Sequence, residues 1–360
     1  MRDTSLVSST TRAPADPAGA RFLPEFAPLL RRVVARDDLS AAEAAAFVGE
    51  VMDGSYTPVQ AAALLAALAS KGETTDEIVG AARAMRERSL HVEHDLGMVV
   101  DVVGTGGDHA NTINISTMAA LVVSAAGIPV AKHGNRAASS ACGSADLLEA
   151  MGLPIEITPE RAAAMLRGCG FTFMFAPHYH PAMRNAAPVR RELGIRTIFN
   201  LLGPLTNPAR ATHQMVGVAH ESLVEKVGRA LQSLQVRRGA VVYGCSGVDE
   251  VVGDAPTLIY SFDEEAAHLW QLDPSEFGVA SRMDALQGGS VAACRNAFVE
   301  ILGGAGGPAG DVVALNAAVV FHVAGVHADL REAYERAQAV LRSGAAWRTF
   351  ERAKEMATHG

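Results

Sequence analysis

Five segments of the 360-residue chain gather residues that could do chemistry. The first is Gly104-Thr105-Gly106-Gly107-Asp108, after the apolar run Met98-Val99-Val100-Asp101-Val102-Val103. Glycines behind a strand let the backbone approach a ligand and turn N–H groups toward it. No Lys follows as in a Walker A loop, and His109 stands where a dinucleotide fingerprint needs its third Gly. The second, Asn114-Ile115-Ser116-Thr117, enters a helix, whose free N–H groups and partial positive charge attract anions. The Ser116 and Thr117 hydroxyls can add hydrogen bonds or ligate a hard cation. The third places Lys132, His133, Gly134, Asn135, Arg136, Ala137, Ala138, Ser139 and Ser140 in one loop, with Gly143-Ser144 at the next helix start. Cations, an amide and hydroxyls at the carboxyl end of a strand stand where open α/β sheets place ligands.

The fourth segment, Asp249-Glu250, sets two carboxylates side by side after Tyr243-Gly244-Cys245-Ser246-Gly247. Such a pair can hold Mg²⁺, which takes oxygen ligands and commonly binds together with phosphates. The fifth runs from His180-Pro181-Ala182-Met183 through Arg190 and Arg191 to Arg196-Thr197-Ile198-Phe199-Asn200, ending in an expected loop around Gly203-Pro204. A guanidinium in this segment could pair with a carboxylate in bidentate fashion. His178 with His180, and His91 with His94, read as structural, because no third ligand is nearby in sequence. Together the segments describe a site for a phosphate-rich substrate with Mg²⁺, plus an arginine for a second, anionic substrate. No Ser-His-Asp pattern or acid/base carboxylate pair points to a hydrolase.

The elements that must position these residues fall into two kinds. Residues 20 to about 90 carry helical signals only. Ser40 with Glu43, Thr57 before Pro58, and Thr74 with Glu77 each open a short amphipathic helix. From residue 96 strand and helix signals alternate, with strands expected at 98–103, 129–132, 215–218 and 240–243. Helices are expected from Ser116, from Ser144, from Thr158-Pro159, at 223–234, and near the C-terminus at 315–325 and 329–354. The pattern predicts an α/β domain with a largely parallel sheet behind a small all-helical N-terminal domain. The divisions read as a flexible tail (1–20), a helical domain (21–95, joined by a helical segment near 180–195) and an α/β domain (96–360).

Composition narrows the function. Acidic residues outnumber basic ones, 39 against 31, for a net charge of −8. That argues against bulk nucleic-acid binding, though not against a local basic pocket. No apolar run reaches the ~20 residues of a membrane span, and no secretory signal is read, so a cytoplasmic location is expected. Cys142, Cys169, Cys245 and Cys294 are widely spaced, which suits free, mostly buried thiols in a reducing compartment.

In this order, G-T-G-G-D, N-I-S-T, K-H-G-N-R-A-x-S-S-x-x-G-S-A-D, H-P-A-M and R-T-x-F-N-x-L-G-P-L-x-N-P resemble the anthranilate phosphoribosyltransferases of tryptophan biosynthesis. The likeness extends from Gln60 and Lys71-Gly72-Glu73-Thr74 to the C-terminal helices. It implies the two-domain architecture shared by nucleoside phosphorylases and these transferases, assembled as a homodimer, with the active site at the hinge. The implied reaction joins anthranilate to 5-phosphoribosyl 1-diphosphate (PRPP) and releases pyrophosphate. The resemblance assigns PRPP contacts to Gly104, Gly107, Asp108, Thr112, Asn114, Ile115, Ser116 and Thr117, to the loop 132–140, and to Ser144. It assigns Mg²⁺, two ions per site, to Ser116, Asp249 and Glu250. Anthranilate would meet Gly104, Asn135 and Arg190, with His133 and Pro204 shaping its path.

Some positions depart from the family pattern. His109 stands where Gly is common, Ile113 where Phe is usual, and Val251-Val252 replace an expected small polar pair. Three other readings share the architecture: a paralogue using a substituted anthranilate, a pyrimidine nucleoside phosphorylase, and a non-catalytic nucleic-acid-binding relative.

Overall fold

The computed structural model describes residues 26–137 and 140–359. The expected tail, and Ala138 and Ser139 of the third segment, lie outside the described residues. The helical segment holds four helices where three were expected: α1 (Phe26–Val34), α2 (Ala41–Asp53), α3 (Pro58–Lys71) and α4 (Thr75–Glu87). No Ser, Thr, Asp or Asn directly precedes α1, so it lacked the local start signal that announced the others. In α2, α3 and α4 the N-cap hydroxyl and the side chain three residues on cap each other reciprocally, as Ser40–Glu43, Thr57–Gln60 and Thr74–Glu77.

The α/β segment runs β1 (Val100–Gly104), α5 (Ile115–Ala125), β2 (Val130–Gly134), α6 (Ser144–Ala150), α7 (Pro159–Cys169), β3 (Phe171–Phe175) and α8 (Ala176–Tyr179). It continues with α9 (Met183–Leu193), α10 (Phe199–Leu205), β4 (His213–Gly217), α11 (Val224–Ser233), β5 (Arg238–Gly244), β6 (Thr257–Phe262) and β7 (Ala267–Leu272). Four helices close the chain: α12 (Val291–Leu302), α13 (Pro308–Val323), α14 (Leu330–Arg342) and α15 (Ala345–His359).

Several expectations need correction. The strands β3, β6 and β7 and the helix α12 were not read from the sequence. The caps of α5 and α6 are Asn114 and Gly143, so Ser116 and Ser144 lie inside the first turns. The expected loop around Gly203-Pro204 is the helix α10. Pro204 sits near its end, where one lost backbone bond costs little, and the Thr206 hydroxyl donates to the Leu202 carbonyl at 2.9 Å. The long C-terminal helix divides at Ser343-Gly344, where Gly344 turns with φ 67°. Cys142 and Cys294 are buried as free thiols, but Cys245 is exposed.

The seven strands form one sheet in the order β3-β2-β1-β4-β5-β6-β7. The pairs from β3 to β5 are parallel, and β6 and β7 add an antiparallel edge. From β1 the chain winds outward through β2 to β3, then returns to lay β4 on the other side of β1. The boundary between β1 and β4 is therefore a topological switch point, and ligand crevices open there at the carboxyl ends of strands. Side chains alternate across the sheet. Val102 and Met215 face a core built with α5, α7, α13 and α15, whereas Val216 and Val241 face one built with α1 to α4 and α9 to α11. The helix α9 packs on α2 and α3, and α10 on α4.

Candidate active site

Strands β1 and β4 end side by side in glycine, Gly104 against Gly217. Both are small because Asp249 lies across them: a Cβ on Gly217 would stand 1.7 Å from the Asp249 carbonyl oxygen, and one on Gly104 2.4 Å from its Oδ2. The glycine loop is held on this frame. Thr105 N donates to Gly217 O at 2.9 Å and Gly106 N to Asp249 Oδ2 at 2.7 Å. Asp108 Oδ2 accepts from Asp249 N at 3.5 Å. His109 adopts a left-handed φ of 57°. That conformation is one glycine enters freely and other residues enter at a cost.

The helix α5 points its N-terminus into the same crevice. Asn114 makes no side-chain capping bond; its Nδ2 instead donates to Cys142 O at 3.0 Å, and its Oδ1 is buried without a partner. Ser116 N donates to Glu250 Oε1 at 3.2 Å. Thr117 Oγ1 is likewise buried and unpartnered. Thr112 bridges to Gln287, and Ile115 packs wholly into the core, so its side chain reaches no ligand.

Buried charge concentrates here. Asp101, Lys132 and Glu250 are all buried. Lys132 Nζ donates to Val102 O and, at 3.4 Å, to Ser116 Oγ. Burial pulls the Lys132 ammonium below its ordinary range, against the attraction of Asp101, Glu250 and Asp249. Burial pushes the Asp249 carboxyl up, reinforced by Asp108, and pushes Glu250 up, reinforced by Asp249. Among the described residues no lysine or arginine forms an ion pair with Asp249 or Glu250; Lys132 acts on them through space. Asp101 accepts from His133 N at 3.2 Å and Asn207 Nδ2 at 2.7 Å, and burial raises it to about 6.

The third segment divides in the structure. Lys132 and His133 belong to β2, and Gly134 ends it. Asn135 O accepts from Ser144 Oγ at 3.3 Å, joining the loop to α6. Arg136 does not present a free cation: it pairs with Asp146 at 3.1 Å and Glu149 at 2.8 Å and stacks on Phe175. Its charge is neutralised on α6, so the contribution of this stretch to an anion rests on backbone and hydroxyl groups. Ala137 N donates to Asp146 Oδ2 at 2.9 Å, and Ser140 follows the two undescribed positions.

Arg190, in the last turn of α9, lies with its guanidinium 5.5 Å from the Phe199 ring centre and has no carboxylate partner among the described residues. Burial lowers its pKa, as expected for a cation kept dry without a counter-ion. Beyond it, His133 Nδ1 bonds the Gly203 carbonyl at 2.9 Å and its ring sits 5.1 Å from that of His180. Burial holds both imidazoles neutral, His133 at about 4 and His180 at about 3. Among the described residues, His133 Nε2 is buried without a partner. His94 bonds the Ala209 carbonyl and His178 lies against Tyr179, consistent with structural roles.

Two residues at the site carried no assigned role from the sequence. Asp101 stood in the middle of an apolar strand, and a charge in such a run is itself a signal. Arg196 was one arginine among several; nothing local showed that its Nη1 reaches the Gly106 carbonyl.

The comparisons with known proteins bear on the family and the fold. A family model described as "Glycosyl transferase family, a/b domain" matches residues 96–347, and its partner "Glycosyl transferase family, helical bundle domain" matches residues 27–89. An anthranilate phosphoribosyltransferase from Herpetosiphon aurantiacus is 52% identical, covering 89% of this chain and 95% of its own. The crystal structure of the anthranilate phosphoribosyltransferase from Thermus thermophilus superposes with a TM-score of 0.86 at 42% identity, over 91% of this chain and 99% of that one. The Saccharomyces cerevisiae enzyme, solved in complex with PRPP and Mg, gives a TM-score of 0.84 at 25% identity, over 92% of this chain and 98% of that one. With family models matching both segments and a relative 52% identical over 89% of its length, the chain belongs to the anthranilate phosphoribosyltransferase family.

Proposed function

We propose that the protein transfers the 5-phosphoribosyl group of PRPP to the amine of anthranilate, giving N-(5-phosphoribosyl)anthranilate and pyrophosphate. The observation that carries this reading is the adjacent carboxylates Asp249 and Glu250, which form no ion pair with a lysine or arginine among the described residues: Asp249 accepts from Gly106 N in the glycine loop and Glu250 from Ser116 N in the first turn of α5. Carboxylates crowded together and drawn from water are costly, and Lys132 alone, acting through space, offsets that cost less than a cation bound between them would. Their oxygens, with the Ser116 hydroxyl, suit a hard divalent ion that also takes oxygens from substrate. Magnesium held there would neutralise charge on the departing diphosphate. We propose two ions per site; a calorimetric stoichiometry of one would correct that number.

The residues of the chain do the rest. Backbone N–H groups of the glycine loop and of α5 receive phosphate oxygens, with the hydroxyls of Thr112, Thr117 and Ser144 beside them. Asn135, joined to α6 through Ser144, also meets the donor. Arg190, which lies on the Phe199 ring and has no carboxylate partner among the described residues, holds the anthranilate carboxylate. The amine attacks the anomeric carbon as the carbon–oxygen bond to diphosphate breaks, through a transition state with oxocarbenium character. An arylamine is neutral at pH 7, so positioning supplies much of the rate and no strong base is required. Its proton leaves after the new carbon–nitrogen bond forms.

We further propose a homodimer joined through the helical segment. Exposed Val34 and Val59, on the packed helices α1 and α3, support that face; sedimentation as a monomer would overturn it. Free thiols support a cytoplasmic setting. Among the described residues no helix is long and apolar enough to cross a membrane. A phosphorylase or a nucleic-acid-binding role is not favoured, since the relatives are anthranilate phosphoribosyltransferases.

The test follows anthranilate fluorescence after mixing protein, PRPP and Mg²⁺, with EDTA as control. Mg²⁺-dependent loss of signal with pyrophosphate release is expected. No loss from folded protein that still binds PRPP would point to a substituted acceptor.

A further inference from the structure

Arg196 lies in the connection 194–198 between α9 and α10, outside every assignment made above. Its Nη1 donates to the Gly106 carbonyl at 2.9 Å, and its Nη2 is shielded from solvent without a protein partner. Gly106 and Gly107 both take left-handed conformations, φ 63° and 81°. A Cβ on Gly107 would stand 1.5 Å from Arg196 Nη1, so the guanidinium fills the space that glycine leaves open. The second glycine is therefore required twice, by its φ and by the arginine beside it.

Gly106 is gripped at both ends. Its N–H is held by Asp249 Oδ2 and its carbonyl by Arg196. The two holds differ in kind. Asp249 is a candidate cation ligand, and a carboxylate oxygen that turns to a cation gives up its hydrogen bond to the loop. Arg196 is no candidate cation ligand, so its hold on the Gly106 carbonyl does not compete with a bound ion. Because the peptide unit is planar and trans, fixing the Gly106 carbonyl also directs the Gly107 N–H to the opposite side.

We propose that Arg196 is a positioning residue of the donor site. It keeps the Gly106–Gly107 peptide in the shape that receives the diphosphate of PRPP. This rests on the PRPP reading above.

The experiment measures PRPP–Mg²⁺ binding by calorimetry alongside steady-state kinetics, for wild type, Arg196→Ala and Arg196→Lys. Loss of one charge-assisted hydrogen bond should raise both the Kd and the KM for PRPP about tenfold in Arg196→Ala. The KM for anthranilate at saturating PRPP should move by less than about twofold, and the lysine variant should recover part of the loss. A general structural defect would instead lower kcat and weaken both substrates together, and that pattern would overturn the proposal. Gly107→Ala supplies an independent arm. In wild type it meets both strain and the guanidinium; in the Arg196→Ala background only the strain remains. The two substitutions should thus be less than additive in PRPP affinity, and strict additivity would count against the proposal. If wild type binds no PRPP, the functional reading fails and this inference with it. If wild type binds PRPP and Arg196→Ala binds it equally well, this inference alone fails.

Discussion

Glu77, at the start of α4, and Glu250, after β5, are both buried carboxylates, and the molecule keeps them in opposite ways. Glu77 accepts hydrogen bonds from Leu39 N at 2.8 Å, Thr74 N at 2.8 Å and Lys71 Nζ at 3.0 Å, and Lys71 also pairs with Asp38. Its charge is answered within the helical segment. Glu250 has one backbone donor, Ser116 N, and stands beside Asp249 and Asp108, which repel it, while Lys132 attracts it through space without forming an ion pair. The same contrast runs through both regions. Among the described residues, no buried side-chain polar atom between 26 and 89 lacks a partner, whereas Thr105, Asn114, Thr117, His133, His180 and Arg196 all leave one unpartnered around the strand ends. A region built only to be stable completes its own hydrogen bonds. A region built to receive ions and phosphates leaves them for the ligand to complete.

Substitutions can break this contrast, and the largest effect should come at Glu250. Glu250→Gln removes a proposed cation ligand and should lower kcat/KM about a thousandfold, on the scale of losing one preorganised electrostatic group. The metal-free protein should melt no lower than wild type, because glutamine asks for no buried charge. A clear drop in melting temperature in EDTA would mean that Glu250 is structural after all. Glu77→Ala should do the reverse: urea unfolding should show about 3 kcal/mol of lost stability, because Lys71 and two backbone donors lose their acceptor. Its kcat/KM, measured well below the melting temperature, should stay within about twofold of wild type. A large catalytic loss in a folded variant would erase the boundary drawn here between the two regions.

Arg190→Ala tests the acceptor side. The KM for anthranilate should rise about tenfold with the loss of one charged hydrogen-bonding partner, and PRPP affinity should hold. An unchanged anthranilate KM would remove Arg190 from the site. The smallest change is expected at Ser40→Ala, which deletes one half of a capping box. It should cost about 1 kcal/mol of stability and nothing in turnover, as denaturant melts and the fluorescence assay would report.

The helical segment was legible wherever its signals are local. Ser40, Thr57 and Thr74 each cap a helix whose partner lies three residues on, and all three appear as read. The exception, α1, has no such cap residue in front of it. Strands β1 and β5 were readable from their β-branched apolar runs, and β2 and β4 from the short apolar stretches Pro129-Val130-Ala131 and Met215-Val216-Gly217-Val218. The edge strand β7 was not, since Ala267-His268-Leu269-Trp270-Gln271-Leu272 is largely exposed and mixes polar with apolar residues. The helix α10 was hidden by Gly203 and Pro204, which locally read as a break and are overruled by packing on α4.

The sequence by itself determined the motifs and those helix starts that carry a local cap, because each depends on residues within a turn of one another. Only the tertiary structure decided which charges were free to act. It paired Arg136 with Asp146 and Glu149 and left Arg190 without an acid. It brought Asp249 to Gly106 across 143 positions and Arg196 to the same glycine across 90. Whether a buried charge is answered or left open depends on which distant groups the fold brings to it, and in a parallel sheet those groups arrive from strands that lie far apart in the chain.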